Sequence, residues 1–280
     1  MLNSLNAGVS GLQQFQSQID LIGNNIANVN TTGFKSSRMD FADTFVKALN
    51  GSNAGDASSV YGSGVRADGI TTSFAGGGLT STEKNTDLAI DNGEGFFSVV
   101  NPENGENFVT RSGNFKVDGN GFLVTNQGYR VQGTQGDGQI VGDLKFVDDV
   151  ALRGDFDPEG ASYIGSEVLK DGKIMVMFDN GTSYQGGQIR LQNFVAPQEL
   201  TKVGNNLYGN LAAALPVDAN GEIPGTGSMG QIQSRALETS NVDLTGEFTN
   251  LIVAQRAFQA NARMVTTSDQ MMQEIVQLKR

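Results

Sequence analysis

Two stretches, one at each end of the chain, repeat their apolar residues every three or four positions. In the first stretch these residues are Leu5, Val9, Leu12, Phe15, Ile19, Ile22, Ile26 and Val29. This spacing places them on one stripe of an amphipathic helix, predicted from Leu2 to Asn28. Gly8 and Gly11 each weaken that helix by about 1 kcal/mol relative to Ala, so it needs a packing partner.

The second stretch predicts a helix from Val242 to Leu278. Its apolar stripe consists of Leu244, Phe248, Leu251, Phe258, Ala262, Val265, Met272 and Val276. Residues Ser240–Asp243 mark its start, because the Ser240 hydroxyl can cap the free amides of the first turn and the Asp243 carboxylate can reach back to the cap. Two complementary stripes predict that the terminal helices pair as a coiled coil.

Between these stretches the pattern changes to short apolar or alternating runs bounded by Gly, Asn and Asp, which is typical of strands. The sequence Asp118–Gly121 predicts a hairpin, because tight hairpin turns need residues with positive φ and Gly and Asn adopt such angles readily. A second hairpin is expected to join Lys173–Phe178 to Gln188–Leu191 through residues 179–181.

The fold class predicted is α+β, mainly β, with paired terminal helices and a β-rich middle looped out between them. Small polar residues at Asn50–Ser59 indicate a linker. The predicted organisation is a helical core of residues 1–49 and 231–280, a linker and hinge at 50–78, a β-rich domain of 79–137 and 186–230, and a small inserted β segment at 138–185.

Composition excludes several classes of function. The net charge is -11, with 19 Lys and Arg against 30 Asp and Glu, which argues against nucleic-acid binding. Cys and His are absent, which removes thiol nucleophiles, imidazole bases and soft-metal sites. The sequence has no run of about 18 apolar residues, so membrane insertion is not expected. The N-terminal residues do not show a basic segment followed by an apolar one, so a cleaved signal peptide is not expected either.

Several short patterns resemble chemical sites, but turns explain them better. Asp155–Gly160 begins like a calcium loop, yet the twelfth position is Ser166 rather than an acidic residue. The sequence therefore predicts no catalytic, metal or cofactor-binding residue, and no cofactor. Solvated turns also account for the glycine and carboxylate pairs, namely Gly62–Gly64, Gly136–Gly138, Asp148 with Asp149, and Asp87 with Asp91.

Residues 20–35, DLIGNNIANVNTTGFK, closely resemble the N-terminal signature of the bacterial flagellar rod and hook protein family. Further matches to the family lie at 79–82, 87–90, 95–97, 110–115, 127–129, 236–245 and 251–261. The signature residues taken from this resemblance are Asn24, Asn25, Ala27, Asn28, Gly33, Phe34, Lys35, Ser240, Asn241 and Val242.

The resemblance implies a structural subunit, not an enzyme, that polymerises through its terminal helices. The expected interface residues are Leu5, Val9, Leu12, Ile19, Ile22, Ile26, Leu244, Phe248, Leu251, Phe258, Val265 and Met272. The implied partners are other copies of the chain, the neighbouring axial proteins of the rod and the hook-filament junction, and the flagellar type III export apparatus.

Within the family, Met39–Phe45, Gly62–Arg66 and Asn241–Thr245 resemble the hook protein. The prediction is therefore a hook subunit, which joins rod to filament, transmits torque and lies outside the cell in the hook-basal body. The chain length favours the alternative, a distal rod subunit spanning the periplasm. A monomeric β-rich binding module with an internal helical hairpin is a further alternative.

Overall fold

A computed structural model of the chain describes residues 2–44, 46–48, 60–62, 64–91, 93–135, 141–146, 163–179, 181–218 and 220–278. These residues divide into two compact units. Unit 1 comprises Met1–Val29, Ser36–Ser73 and Val242–Arg280, and unit 2 comprises Asn30–Lys35 and Phe74–Asn241. Both ends of the sequence thus belong to unit 1.

Unit 1 contains the two helices, α1 (Leu2–Ala27) and α2 (Leu244–Leu278). Both were predicted within two residues of these bounds. The predicted cap of α2 at Ser240 is wrong, because Oδ1 of Asp243 accepts a hydrogen bond from the Thr245 amide at 3.0 Å. Asp243 is therefore the N-cap residue, and the helix begins directly after it.

Unit 1 also contains strands that the sequence pattern did not predict. β1 (Ser37–Asp43) and β4 (Val65–Thr72) form an antiparallel ribbon with a register shift after Asp40. β2 (Val46–Ala48) and β3 (Val60–Gly62) form a shorter pair. The predicted linker at 50–59 lies outside the described residues.

The described residues of unit 2 form short strands and a turn of 3-10 helix at Pro197–Glu199. The strands are β5 (Leu79–Ser81), β6 (Leu88–Asp91), β7 (Phe96–Val100), β8 (Asn107–Thr110), β9 (Lys116–Val117), β10 (Leu123–Val124), β11 (Arg130–Gln135), β12 (Val141–Asp143), β13 (Tyr163–Val168), β14 (Lys173–Phe178), β15 (Ser183–Ile189), β16 (Leu191–Gln192), β17 (Thr201–Gly204), β18 (Leu207–Gly209), β19 (Gln231–Ser234) and β20 (Ala236–Glu238).

Most of these strands belong to one sheet with the order β13-β14-β15-β11-β7-β8-β18-β17, to which β9, β10, β12 and β16 attach. The remaining described strands of unit 2 pair in twos, β19 with β6 and β20 with β5, and both pairs are antiparallel. These two pairs return the segment that precedes α2 to the N-terminal part of unit 2.

The apolar residues of unit 2 form two buried clusters. The larger one includes Phe97, Leu123, Leu144, Ile174 and Ile189. The smaller one consists of Phe96, Val109, Phe194, Leu200, Tyr208 and Ala214, with Phe74 packed against it. This burial explains why the middle of the sequence shows continuous apolar runs as well as alternation.

Both predicted hairpins are present. Around Asp118–Gly121, β9 pairs with β10 and Gly121 has φ 81°. The second hairpin joins β14 to β15, which begins at Ser183, earlier than the predicted strand at Gln188. Residues 138–140, 147–162 and 180 of the predicted insert lie outside the described part of the chain, and the calcium-like segment 155–160 is among them.

Candidate assembly site

The two helices of unit 1 pack against each other in antiparallel orientation. Near the end of α1, the Asn25 side chain donates to Oε1 of Glu247, in the first turn of α2, at 2.9 Å. The buried or half-buried residues of α2 include a series with steps of four and three, Glu247, Leu251, Ala254, Phe258, Asn261, Val265 and Ser268. This spacing is that of a heptad seam, and the supercoil of the pair stays a prediction.

Glycines allow the two helices to approach closely. A Cβ atom at Gly8 would lie 2.9 Å from Cγ2 of Val265, and one at Gly11 would lie 2.7 Å from Nδ2 of Asn261. At Gly23, by contrast, a Cβ would meet nothing within 4 Å. Gly8 and Gly11 therefore weaken α1 locally but make room for α2.

Asn25 holds three segments of unit 1 together. Its Nδ2 donates to the Ser37 carbonyl oxygen at 2.8 Å as well as to Glu247, and its Oδ1 accepts from the Ser37 amide at 3.1 Å. The residue is buried, and both N–H groups of its side-chain amide donate a hydrogen bond. This arrangement gives a physical role to one signature residue at the junction of α1, β1 and α2.

The predicted interface residues fall into two groups. Ile22 is buried, and the following are half-buried: Leu5, Leu12, Ile19, Ile26, Leu251, Phe258 and Val265. The others are exposed, namely Val9, Leu244, Phe248 and Met272. Further large apolar side chains are exposed on α2: Ile252, Val253, Met264, Met271, Ile275, Val276 and Leu278. Exposed apolar side chains in such number on one helix are typical of an interaction surface.

The other signature residues mark the end of α1 and the segments that follow it. The Asn28 side chain donates to the carbonyl and side-chain oxygens of Asn24, and Ala27 ends the helix. In unit 2, Gly33 has φ 67° and donates its amide to the Glu238 carbonyl oxygen at 2.8 Å. A Cβ at Gly33 would lie 2.5 Å from the Ser112 amide nitrogen, so glycine is required there.

Lys35 is the centre of a buried charged cluster in unit 2. Its Nζ donates to Oε1 of Glu238 at 2.6 Å and to the Ala75 carbonyl oxygen at 2.7 Å. Oε1 of Glu238 also accepts from the Gly77 amide at 2.9 Å, and Nη1 of Arg111 lies 3.6 Å from Oε2. The Ala75 carbonyl in turn accepts from the side chain of Asn241 at 3.1 Å.

Two cations therefore share one carboxylate away from water. Burial lowers the pKa of Lys35, and the Glu238 carboxylate opposes that shift. Burial likewise lowers the pKa of Arg111, again opposed by Glu238. Because both cations depend on the same partner, Glu238 is the residue that the cluster can least lose.

Neither Glu238 nor Arg111 was among the predicted site residues. Both stand within stretches that resemble the family; Arg111 directly follows β8, and Glu238 is the last residue of β20. A charged residue beside buried apolar residues is expected to have an oppositely charged partner. The sequence does not identify that partner, because many oppositely charged residues lie far away along the chain.

Two further features, a metal site and a membrane-spanning helix, were sought in the described part of the chain. No group of three or more acidic, His or Cys side chains in these residues could hold a metal ion. Among the same residues, no helix is long and apolar enough to cross a membrane.

Three segments of the chain match known protein families. Residues 5–35 match "Flagella basal body rod protein", residues 89–176 match "Flagellar hook protein FlgE/F/G D1 domain", and residues 233–278 match "Flagellar basal body rod FlgEFG protein C-terminal". The first and third segments contain most of α1 and all of α2, and the second belongs to unit 2.

Whole-chain relatives are also flagellar. The flagellar basal-body rod protein FlgG of Bacillus subtilis (strain 168) is 40% identical over 287 residues, covering 100% of both chains. FlgG of Buchnera aphidicola subsp. Schizaphis graminum is 34% identical over 289 residues, covering 99% of this chain and 100% of the relative. The flagellar hook protein FlgE of Borreliella burgdorferi is 27% identical over a longer alignment of 447 residues, covering 100% of both chains.

Proposed function

The chain belongs to the family of bacterial flagellar rod and hook proteins, and we propose that it is the distal rod subunit of the flagellar basal body. The observation that carries this proposal is the end-to-end alignment with rod proteins, at 40% identity and closely similar length. The hook interpretation rests on the short segments Met39–Phe45, Gly62–Arg66 and Asn241–Thr245. It is less well supported than the distal-rod alternative, since the hook relative aligns less closely and over 447 residues.

In this role the chain is a structural protein that assembles with copies of itself into a tube. The support is the set of exposed apolar side chains on α2, which includes Phe248, Ile252 and Val276. Burying the exposed half of one such side chain contributes about 1 kcal/mol. Several of them together can offset the loss of translational and rotational freedom, about 4–15 kcal/mol, that association costs.

The remaining partners follow from the same proposal. The subunit leaves the cell unfolded through the flagellar type III export apparatus. In the assembled structure, the tube that it forms contacts the neighbouring axial proteins. A chain without cysteine forms no disulfide that would hinder threading. In the assembled tube the terminal helices of each subunit pair as a coiled coil.

The test is to delete the gene in the bacterium that carries it and to examine isolated basal bodies by electron microscopy. A distal rod subunit is required before the hook can form, so the expected particles have a shortened rod and lack the hook and filament. Re-expression of the chain should restore all three. Particles with a complete rod but no hook would instead assign the chain to the hook.

A further inference from the structure

An apolar ridge on unit 2 is built by two facing segments, 193–196 and 214–217. Three backbone hydrogen bonds hold them together: the Val195 amide to the Leu215 oxygen at 3.1 Å, the Ala196 amide to the Ala214 oxygen at 3.1 Å, and the Val217 amide to the Asn193 oxygen at 3.0 Å. This antiparallel pairing places Val195 beside Leu215 on one face.

The two faces of this pair differ sharply in exposure. On the inner face, Phe194 and Ala214 are buried in the smaller apolar cluster. On the outer side, Val195, Leu215 and Val217 are 70%, 58% and 53% exposed. We define these three side chains as the apolar ridge. They lie next to one another, unlike the isolated apolar side chains that are normal on protein surfaces.

The backbone at the ridge is strained. Leu215 has φ 53°, in the left-handed region that a branched side chain occupies at a cost of about 1–2 kcal/mol. Its carbonyl is fixed by the hydrogen bond from Val195, so the fold holds this leucine in a costly conformation and still leaves it exposed. Strain of this kind is concentrated at functional surfaces.

The ridge also lacks charge, which indicates what it binds. Residues 191–198 and 203–217 contain no Asp, Glu, Lys or Arg, and Asp218 is the first charged residue after Val217. The chain as a whole has 49 charged residues (30 + 19) and a net charge of -11. Copies of so acidic a chain repel one another over most of their surface. At the ridge they can approach without burying like charges, whereas a basic partner would favour the acidic surface.

We propose that the apolar ridge is a contact between neighbouring copies of this chain, separate from the contacts made by the terminal helices. This inference rests on the proposed polymerisation and adds to it a specific surface on unit 2. Contacts in a helical polymer join two different surfaces, so the ridge of one copy packs against another part of the next copy.

The first experiment uses the full-length chain with Leu215→Asp. Asp tolerates the left-handed conformation better than Leu does, so the folded monomer should keep its melting temperature. The critical concentration for polymerisation, measured by sedimentation and electron microscopy, should rise at least tenfold. The matched control is Leu169→Asp, at a 43% exposed leucine elsewhere in unit 2, and it should change that concentration less than twofold.

The second experiment uses the absence of cysteine in the chain. The Val195→Cys variant is labelled with a maleimide, and the rate in the polymer is compared with the rate in the monomer. We expect labelling to slow at least tenfold in the polymer, and Leu169→Cys to slow less than threefold.

The outcomes separate the two proposals. If polymers form and Cys at position 195 is labelled as fast as in the monomer, the ridge contact is wrong and polymerisation stands. The same holds if Leu215→Asp assembles at the wild-type concentration, or if Leu169→Asp weakens assembly equally. If the wild-type chain polymerises neither in solution nor in basal bodies, both proposals are wrong.

Discussion

Lys35 and Glu238 are 203 positions apart in the sequence and form a buried ion pair in unit 2, with Nζ 2.6 Å from Oε1. One residue ends the N-terminal signature, and the other ends the last strand before α2. The pair therefore links the segment that follows α1 to the segment that precedes α2.

Glu238→Gln should lower the free energy of unfolding by about 3–5 kcal/mol, because Lys35 and Arg111 would stay buried without a counter-charge. The double variant Lys35→Met/Glu238→Gln should cost less than the sum of the two single variants, since it removes one uncompensated cation. Urea denaturation measures these differences.

A matched control for this pair is Lys173→Met. It removes an ion pair with Asp171 of 3.0 Å whose side chains are 40% and 41% exposed. The cost there should be below about 1 kcal/mol. If Lys173→Met and Glu238→Gln lower the free energy of unfolding equally, burial does not make the Lys35 cluster more important for stability than an exposed ion pair.

Stability above pH 10 should depend on Tyr208. Burial raises the pKa of this phenol well above its usual value of 10.0. The folded state therefore keeps the phenolic proton at a pH where the unfolded chain loses it, so the free energy of unfolding falls as pH rises above 10. Relative to Tyr208→Phe, the wild type should lose about 1 kcal/mol between pH 10 and pH 11. Parallel profiles of the two proteins over that range would contradict the assignment.

Asn25→Asp should destabilise unit 1 by about 2–4 kcal/mol, because it replaces the donor to Ser37 and Glu247 with a carboxylate beside a second carboxylate. Hydrogen exchange at the end of α1 and at β1 should accelerate accordingly. Adding Glu247→Gln should recover part of the loss. Asn24→Asp is the control, because Asn24 is exposed and its side chain serves as a hydrogen-bond acceptor for Asn28.

The exposed face of α2 should affect assembly without affecting the monomer. Phe248→Ala and Ile252→Ala should each raise the critical concentration for polymerisation about tenfold, which corresponds to about 1.4 kcal/mol. Monomer stability should change by no more than about 1 kcal/mol, because only about half of each side chain is buried in the monomer.

Two comparisons test that prediction. Leu251→Ala, in the seam with α1, should destabilise the monomer itself by about 1–3 kcal/mol. Thr249→Ala, at an exposed polar position of the same helix, should leave both assembly and stability unchanged. A loss of assembly in Thr249→Ala equal to that in Phe248→Ala would mean that apolar area is not what the face contributes.

The features that could be predicted from the sequence are those with a local cause. The 3.6-residue repeat predicts α1 and α2 within two residues of their ends, and the turn at Asp118–Gly121 predicts its hairpin. The family is also recognisable in the signature that ends at Lys35. All of these depend on neighbours within a few positions, which the sequence displays directly.

Only the tertiary structure decided which residues meet. The stripe of α2 did not reveal that Leu251 faces α1 while Phe248 stays exposed, and nothing near Lys35 points to Glu238. The ribbon of β1 and β4 and the apolar ridge at Leu215 were equally absent from the pattern. Such pairings join positions far apart in the chain, and their energy comes from burial in the completed fold, which no local periodicity records.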